Sequence, residues 1–254
     1  MKKSQWTSLC ALALLFFSAM PVGAFEIGVR ALYWFPALAA DIRVDSDGRT
    51  GTTLNLKDNL GIRDESYPSF EVFVGGGRHN LNLAYTPIQY SGSTMLTAPI
   101  IFDGKIFAGN VDTDLKLRML DLEYRYTFLD MENILAGFSF SAIGRIKYIE
   151  GEARMSSLGG NITADYKGRA PVPMVGLGTH IGLLARILEL RANVTGVTYS
   201  GNYLYEAMAD LSLTPLPFLD IHAGYKVIRL KIDRDDLFVD SQFTGPYVGL
   251  TVSF

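Results

Sequence analysis

The chain has 254 residues, 48% of them hydrophobic, 12% aromatic and 19% charged, with 25 Gly and one Cys, enough for one large domain. The formal net charge of −3 argues against nucleic acid as a partner, because such binding needs a basic surface. Beyond residue 24 no uninterrupted apolar run approaches the roughly 18 residues of a membrane-spanning helix, so a helical membrane protein is excluded.

At the N-terminus Lys2 and Lys3 precede an apolar core over residues 9–20, and Pro21, Val22, Gly23 and Ala24 supply a small-residue cleavage site. The expected organisation is a signal peptide over 1–24 and one mature domain over 25–254. The rival, a retained anchor helix, has too short an apolar core. Cys10 follows Leu9 and lies before most of that core, which does not fit a lipid-attachment cysteine. Cleavage would remove Cys10, leaving no thiol for a nucleophile, disulfide or metal-thiolate site. It would also remove Lys2 and Lys3, taking 23 basic residues to 21 against 26 acids, a net charge near −5.

Residues 25–35 place Phe25, Ile27, Val29, Ala31, Tyr33 and Phe35 on one parity, with Glu26, Gly28 and Arg30 on the other. That two-residue period predicts a strand about as long as a tilted bilayer crossing. Residues 40–68 lack periodicity and read as a long loop. A second strand near 69–75 sends Phe70, Val72 and Val74 outward but leaves Phe73 inward, and Gly75, Gly76 and Gly77 turn it into a third over 79–90. There Pro87 separates Leu81, Leu83 and Tyr85 from Ile88 and Tyr90 on the other parity, which predicts a bulge.

After a second long loop over 91–110, the fourth strand carries Leu120, Leu122, Tyr124, Tyr126 and Phe128 against Asp121, Glu123 and Arg125. A turn at Asp130, Met131, Glu132 and Asn133 leads to the fifth, where Ala136, Phe138, Phe140, Ala142, Ile146 and Tyr148 oppose Ser139, Ser141, Arg145 and Lys147. Residues 150–167 read as a Gly- and Ser-rich loop. The sixth strand uses Val175, Leu177, Thr179 and Ile181, and the seventh Leu188, Leu190, Ala192 and Val194 against Glu189 and Arg191. The eighth sets Tyr203, Tyr205, Ala207 and Ala209 against Glu206 and Asp210, and the ninth sends Leu219, Ile221, Ala223, Tyr225 and Val227 outward.

The last ten residues, GPYVGLTVSF, alternate apolar Val248, Leu250 and Val252 with Tyr247, Gly249, Thr251 and Ser253, and end on Phe254. An alternating strand closed by a terminal aromatic resembles the final strand of Gram-negative outer-membrane β-barrels. The resemblance implies an all-β, antiparallel up-and-down transmembrane barrel of about ten strands, with eight and twelve as alternatives, that is handed to the outer-membrane assembly machinery through Phe254. Ten strands put both termini on the periplasmic side, with short periplasmic turns and longer outer loops. The competing architecture is a soluble β-sandwich, which alternates at similar spacing.

Under this reading the inward set is charged with both signs: Glu26, Arg30, Asp121, Glu123, Arg125, Arg145, Lys147, Glu189, Arg191, Glu206, Asp210 and Lys226. Such charges should neutralise one another across a narrow lumen, whereas a selective channel would more often show one sign. Lys116 and Arg118 on strand four and Arg229 and Lys231 on strand nine lie outward at the outer headgroup level, placed for lipopolysaccharide phosphates or for simple snorkelling. His79, His180 and His222 fall near the periplasmic ends, so no histidine–carboxylate base is expected at the outer rim. Asp233, Asp235 and Asp236 read as a solvated turn, and Asp45 to Gly48 lacks the spacing of a calcium loop. No catalytic residue, metal or cofactor is assigned. The expected role is structural or surface-interacting through the long outer loops, with outer-membrane lipid and lipopolysaccharide as partners. A narrow passive pore is the alternative, and an outer-membrane enzyme acting on lipid or peptide a third.

Overall fold

The structure, a computed structural model, describes residues 25–46, 48–131, 137–158, 161–184, 187–234 and 236–254. The expected signal segment lies outside them, as do Glu132, Asn133, Ala136 and Asp235. Among the described residues the strands in chain order are β1 (Phe25–Trp34), β2 (Ala37–Val44), β3 (Leu54–Asn55), β4 (Tyr67–Gly76), β5 (His79–Met95), β6 (Ile100–Phe102), β7 (Lys105–Phe107), β8 (Asn110–Asp130), β9 (Gly137–Ser157), β10 (Thr163–Leu183), β11 (Leu188–Tyr199), β12 (Asn202–Leu216), β13 (Leu219–Arg234) and β14 (Leu237–Ser253).

Every neighbour in the main sheet is antiparallel, and β1 pairs β14 to close it into a barrel. The terminal aromatic takes part in the closure, because Phe254 and Ile27 exchange both backbone hydrogen bonds at 2.9 Å. β2 continues along β14 above β1, from Ala37 opposite Thr244 to Val44 opposite Leu237. The two are therefore one wall strand interrupted at Phe35 and Pro36, where proline has no N–H for a ladder bond. β3 adds two residues to the free edge of β2, and β6 and β7 form a separate small hairpin. Ten wall strands remain, the number expected, and closure removes the exposed edges of an open sheet.

Below, "lower" denotes the end carrying Phe25 and Phe254. Strand parity holds along each wall strand, but the chemistry of its two faces exchanges partway up. On β8 the outward residues are Leu120, Leu122, Tyr124, Tyr126 and Phe128 in the lower half and Asp112, Asp114, Lys116 and Arg118 above. The inward ones change the opposite way, from Asp121, Glu123 and Arg125 to Val111, Leu115, Leu117 and Met119. A bilayer crossing takes about 9–11 tilted residues, so about half of the 21-residue β8, β9 and β10 stands above an apolar belt.

This exchange corrects three expectations. Pro87 makes no bulge: the register with β8 runs unbroken from His79 opposite Tyr126, through Pro87 opposite Arg118, to Met95 opposite Asn110. Ile88 and Tyr90 look out of phase because they belong to the upper half, where the inward face is the apolar one. The register shifts lie instead at Thr127/Leu129 and Leu213/Leu216. The supposed loop over 150–167 is mostly strand, its polar residues being the outward face of β9 and β10 above the belt. The loops over 40–68 and 91–110 likewise begin and end as strand, and the outer connection at 200–201 is tight.

The upper lumen is filled by a hydrophobic core. The barrel wall contributes Trp34, Tyr90, Met119, Leu204, Phe243 and Tyr247, and the connecting segments fold in from above with Leu54, Leu56, Leu60, Ile62, Phe102 and Phe107. Aromatic rings pack at its centre, with Tyr67 5.4 Å from Tyr90, Trp34 6.3 Å from Phe243 and Tyr90 6.5 Å from Phe243 between centroids. Each large side chain buried there contributes about 1.5–3 kcal/mol.

Candidate functional site

Beneath the apolar core the lower lumen holds a charge network drawn from four wall strands. Glu206 on β12 is its hub: Arg145 on β9 reaches it at 2.6 Å, Lys147 at 3.0 Å and Lys226 on β13 at 3.6 Å. Lys147 is fully buried between Glu206 and Asp121, the latter at 2.7 Å. Glu123 on β8 accepts from Arg125 at 2.9 Å and also pairs with Arg145. Pairing of this density is what offsets the cost of taking these ions out of water. Lys226 also lies 5.2 Å from the centre of the Trp34 ring, where the charged and apolar tiers meet.

A second assembly sits nearer the lower end. Tyr247 donates to Asp210 Oδ2 at 2.7 Å, and His222 Nδ1 lies 2.9 Å from Asp210 Oδ1. His222 Nε2 is 2.7 Å from Thr251 Oγ1, which accepts from Arg30 Nε at 2.9 Å, and Arg30 pairs with Glu71 at 3.3 Å. One proton assignment satisfies the chain, with Nδ1–H donated to Asp210 and the Thr251 hydroxyl donated to Nε2. Elsewhere Glu189 pairs with Arg191 and lies 3.4 Å from His180, while Glu26 is exposed at the lower mouth. Sequence reasoning missed Glu71, Tyr247 and Thr251 as members, though their inward parity on β4 and β14 was the available signal.

On the outer wall just above the apolar belt, three cross-strand rows alternate in charge over β8, β9 and β10. They are Arg118–Glu150–Arg169, Lys116–Glu152–Lys167 and Asp114–Arg154–Asp165. Arg118 meets Glu150 at 3.2 Å, Lys167 meets Glu152 at 3.1 Å and Arg154 meets Asp165 at 2.6 Å. The Arg154 hydrogen bond holds the Asp165 carboxyl below its ordinary range. The two lower rows line a shallow recess of about 380 Å³. The structure therefore groups Lys116 and Arg118 with Lys167 and Arg169, two cations not singled out in the sequence. It does not group them with Arg229 and Lys231, since β13 lies diametrically opposite β8 in the ring order.

No family model matches the sequence, and no curated protein matches it. Among solved structures the outer membrane protease OmpT from Escherichia coli is similar, with a TM-score of 0.54, 11% identity, and coverage of 91% of this chain and 98% of that one. The fold is that of a Gram-negative outer-membrane β-barrel. Two further outer-membrane barrels align at lower TM-scores. Ail of Yersinia pestis, in complex with the heparin analogue sucrose octasulfate, gives 0.39 at 14% identity over 91% of this chain and 99% of its own. Neisserial surface protein A gives 0.35 at 15% identity over 91% and 97%.

Within this barrel Asp210, His222 and Thr251 have the connectivity of a proton relay ending in a hydroxyl. His222 is only 1% exposed and Thr251 2%, and the hydroxyl already accepts from Arg30, so the chain is arranged to fix side chains rather than to meet a substrate. At the upper rim Asp233 is exposed beside the β13–β14 turn, its backbone N–H bonded to Asn202. The Asp45 carboxylate is occupied by Arg43 and the Gly51 N–H. Among the described residues no cluster of three or more His, Cys, Asp or Glu is arranged to hold a metal ion.

Proposed function

We propose that this chain is an integral outer-membrane barrel with an occluded lumen, acting as a surface-interaction scaffold through its extracellular wall and the segments that cap it. The observation that carries this reading is the two-tier filling of the interior. Arg145, Lys147, Glu206 and Glu123 bridge the lower lumen, and Trp34, Leu60, Phe102, Phe107 and Phe243 pack the upper one. An ion entering from either side would have to break buried ion pairs or cross an apolar core, and both are costly. The lower apolar belt supplies the lipid-facing surface, and the polar upper wall supplies the surface that partners meet.

Single-channel recording of the purified protein in a planar bilayer tests this directly. The expected result is silence at all voltages below membrane breakdown. Discrete, reproducible openings would overturn the scaffold reading in favour of a narrow pore. The protease activity named for the Escherichia coli structure is not proposed for this chain, because both acid–histidine pairs among the described residues, Asp210–His222 and Glu189–His180, lie on the inward face of the wall.

A further inference from the structure

We propose that the outer wall across β9 to β13 binds one outer-leaflet lipid whose phosphate charge is not offset by a headgroup cation, its phosphate against Arg229 and Lys231 and an acyl chain in a trough directly beneath them. The inference rests on the reading of the chain as a membrane-spanning barrel and goes beyond it by naming a lipid site.

Cross-strand register builds the trough. One row runs Phe140–Thr179–Ala192–Ala209–Tyr225 and the row above it Leu177–Val194–Ala207–Val227. The first carries Thr179, Ala192 and Ala209 between the rings of Phe140 and Tyr225, the second has Ala207 between two valines, and together they line an open groove of about 450 Å³ on the lipid-facing side. In the next row up Arg229 stands beside Tyr205, and above that Lys231 stands beside Tyr203. Arg229 is two residues above Val227 on the same face, roughly 7 Å along the strand. A chain attached to a phosphate at Arg229 therefore enters the groove at Ala207.

The charge at the head of the groove is uncompensated. Among the described residues neither Arg229 nor Lys231 forms an ion pair or hydrogen bond with the protein, although Asp240 lies opposite Lys231 in register. On the other wall, by contrast, Glu150 and Glu152 stand among the cations: they meet Arg118 and Lys167, and lie in register beside Arg169 and Lys116. Two free cations at the boundary between apolar belt and polar wall complement a lipid phosphate, which a guanidinium binds through paired donors. The same boundary carries Tyr203 and Tyr205, residues suited to the headgroup level.

The test is native mass spectrometry of the protein exchanged into detergent containing lipid A, with phosphatidylcholine as a headgroup control and inorganic phosphate as a soluble competitor. Wild type should retain one lipid A, and R229Q/K231Q should retain at least about tenfold less. Filling the groove in A207F/A209F should reduce retention with both cations present, and K116Q/R118Q should behave as wild type. Undiminished retention in R229Q/K231Q or in A207F/A209F would overturn the proposal. So would equal retention of phosphatidylcholine, or displacement of lipid A by inorganic phosphate, which would mark a free-anion site. Failure of the barrel reading is read separately: unboiled wild type would then lack a shifted band in detergent gels.

Discussion

Gly224 lies directly opposite Tyr247 in the β13–β14 ladder, and the tyrosine ring occupies the space that a Cβ at 224 would need. The ring crosses the β13 backbone there to reach Asp210 on β12. Glycine at this position is thus a condition for the relay through His222 and Thr251. Gly224→Ala is expected to destabilise the barrel by about 1–3 kcal/mol through forced displacement of the ring and of the nearby Ala209 carbonyl. Tyr247→Phe, which keeps the ring and loses one hydrogen bond, should cost about 1 kcal/mol. Urea unfolding followed by the gel shift of folded barrel gives both numbers, and a smaller loss in the glycine variant would contradict this packing.

Glu206 balances three cations, Arg145, Lys147 and Lys226. Glu206→Gln should therefore cost about 3–5 kcal/mol, the penalty of leaving buried charge without its partner. Adding Lys147→Met should recover part of that loss, because it removes the most deeply buried of the three. Non-additivity in the double-mutant cycle is the readout, and strictly additive losses would mean that the hub is not coupled.

Phe73 points into the lumen from a row that otherwise carries Ser253, Gly28, Asn82 and Glu123, 5.7 Å from the Arg30 guanidinium and packed where a Cβ on Gly28 would collide with its ring. Its neighbour Phe70 points outward. Phe73→Ala should cost about 3–5 kcal/mol by opening a cavity, and Phe70→Ala distinctly less because detergent or lipid fills the gap. Equal losses at the two sites would show that Phe73 is not a packing residue.

Asp64 ties the first capping segment to the wall, accepting from the Leu38 N–H at 2.8 Å and from Lys57 at 2.8 Å. Burial acts to raise its pKa, but these two donors outweigh it and hold the carboxyl below its ordinary 3.8. The sign follows: a depressed folded-state pKa gives stabilisation that is complete above the unfolded value and lost as pH falls through the folded one. Hydrogen exchange over residues 56–66 should accelerate below about pH 4 after correction for intrinsic rates. Asp64→Asn should show the faster exchange at neutral pH and lose the acid step; an acid step unchanged in that variant would assign it to another group.

Strand existence, number and parity were set locally, by a two-residue period that any window of the chain carries. Phe25 to Phe35, Leu120 to Phe128 and Val248 to Phe254 therefore stood out at once, as did the inward charges of Glu206, Arg145 and Lys147. The face that counts as core was not local. Ile88 and Tyr90 read as a phase error, and residues 150–167 as a loop, because lipid surrounds the wall below and water surrounds it above, which reverses the meaning of an apolar residue without changing its parity. Partnership across strands was invisible as well. Register alone put Lys167 beside Glu152, separated Lys116 from Arg229 by half the circumference, and brought Tyr247 over Gly224, since each depends on how ten antiparallel strands align when the sheet closes.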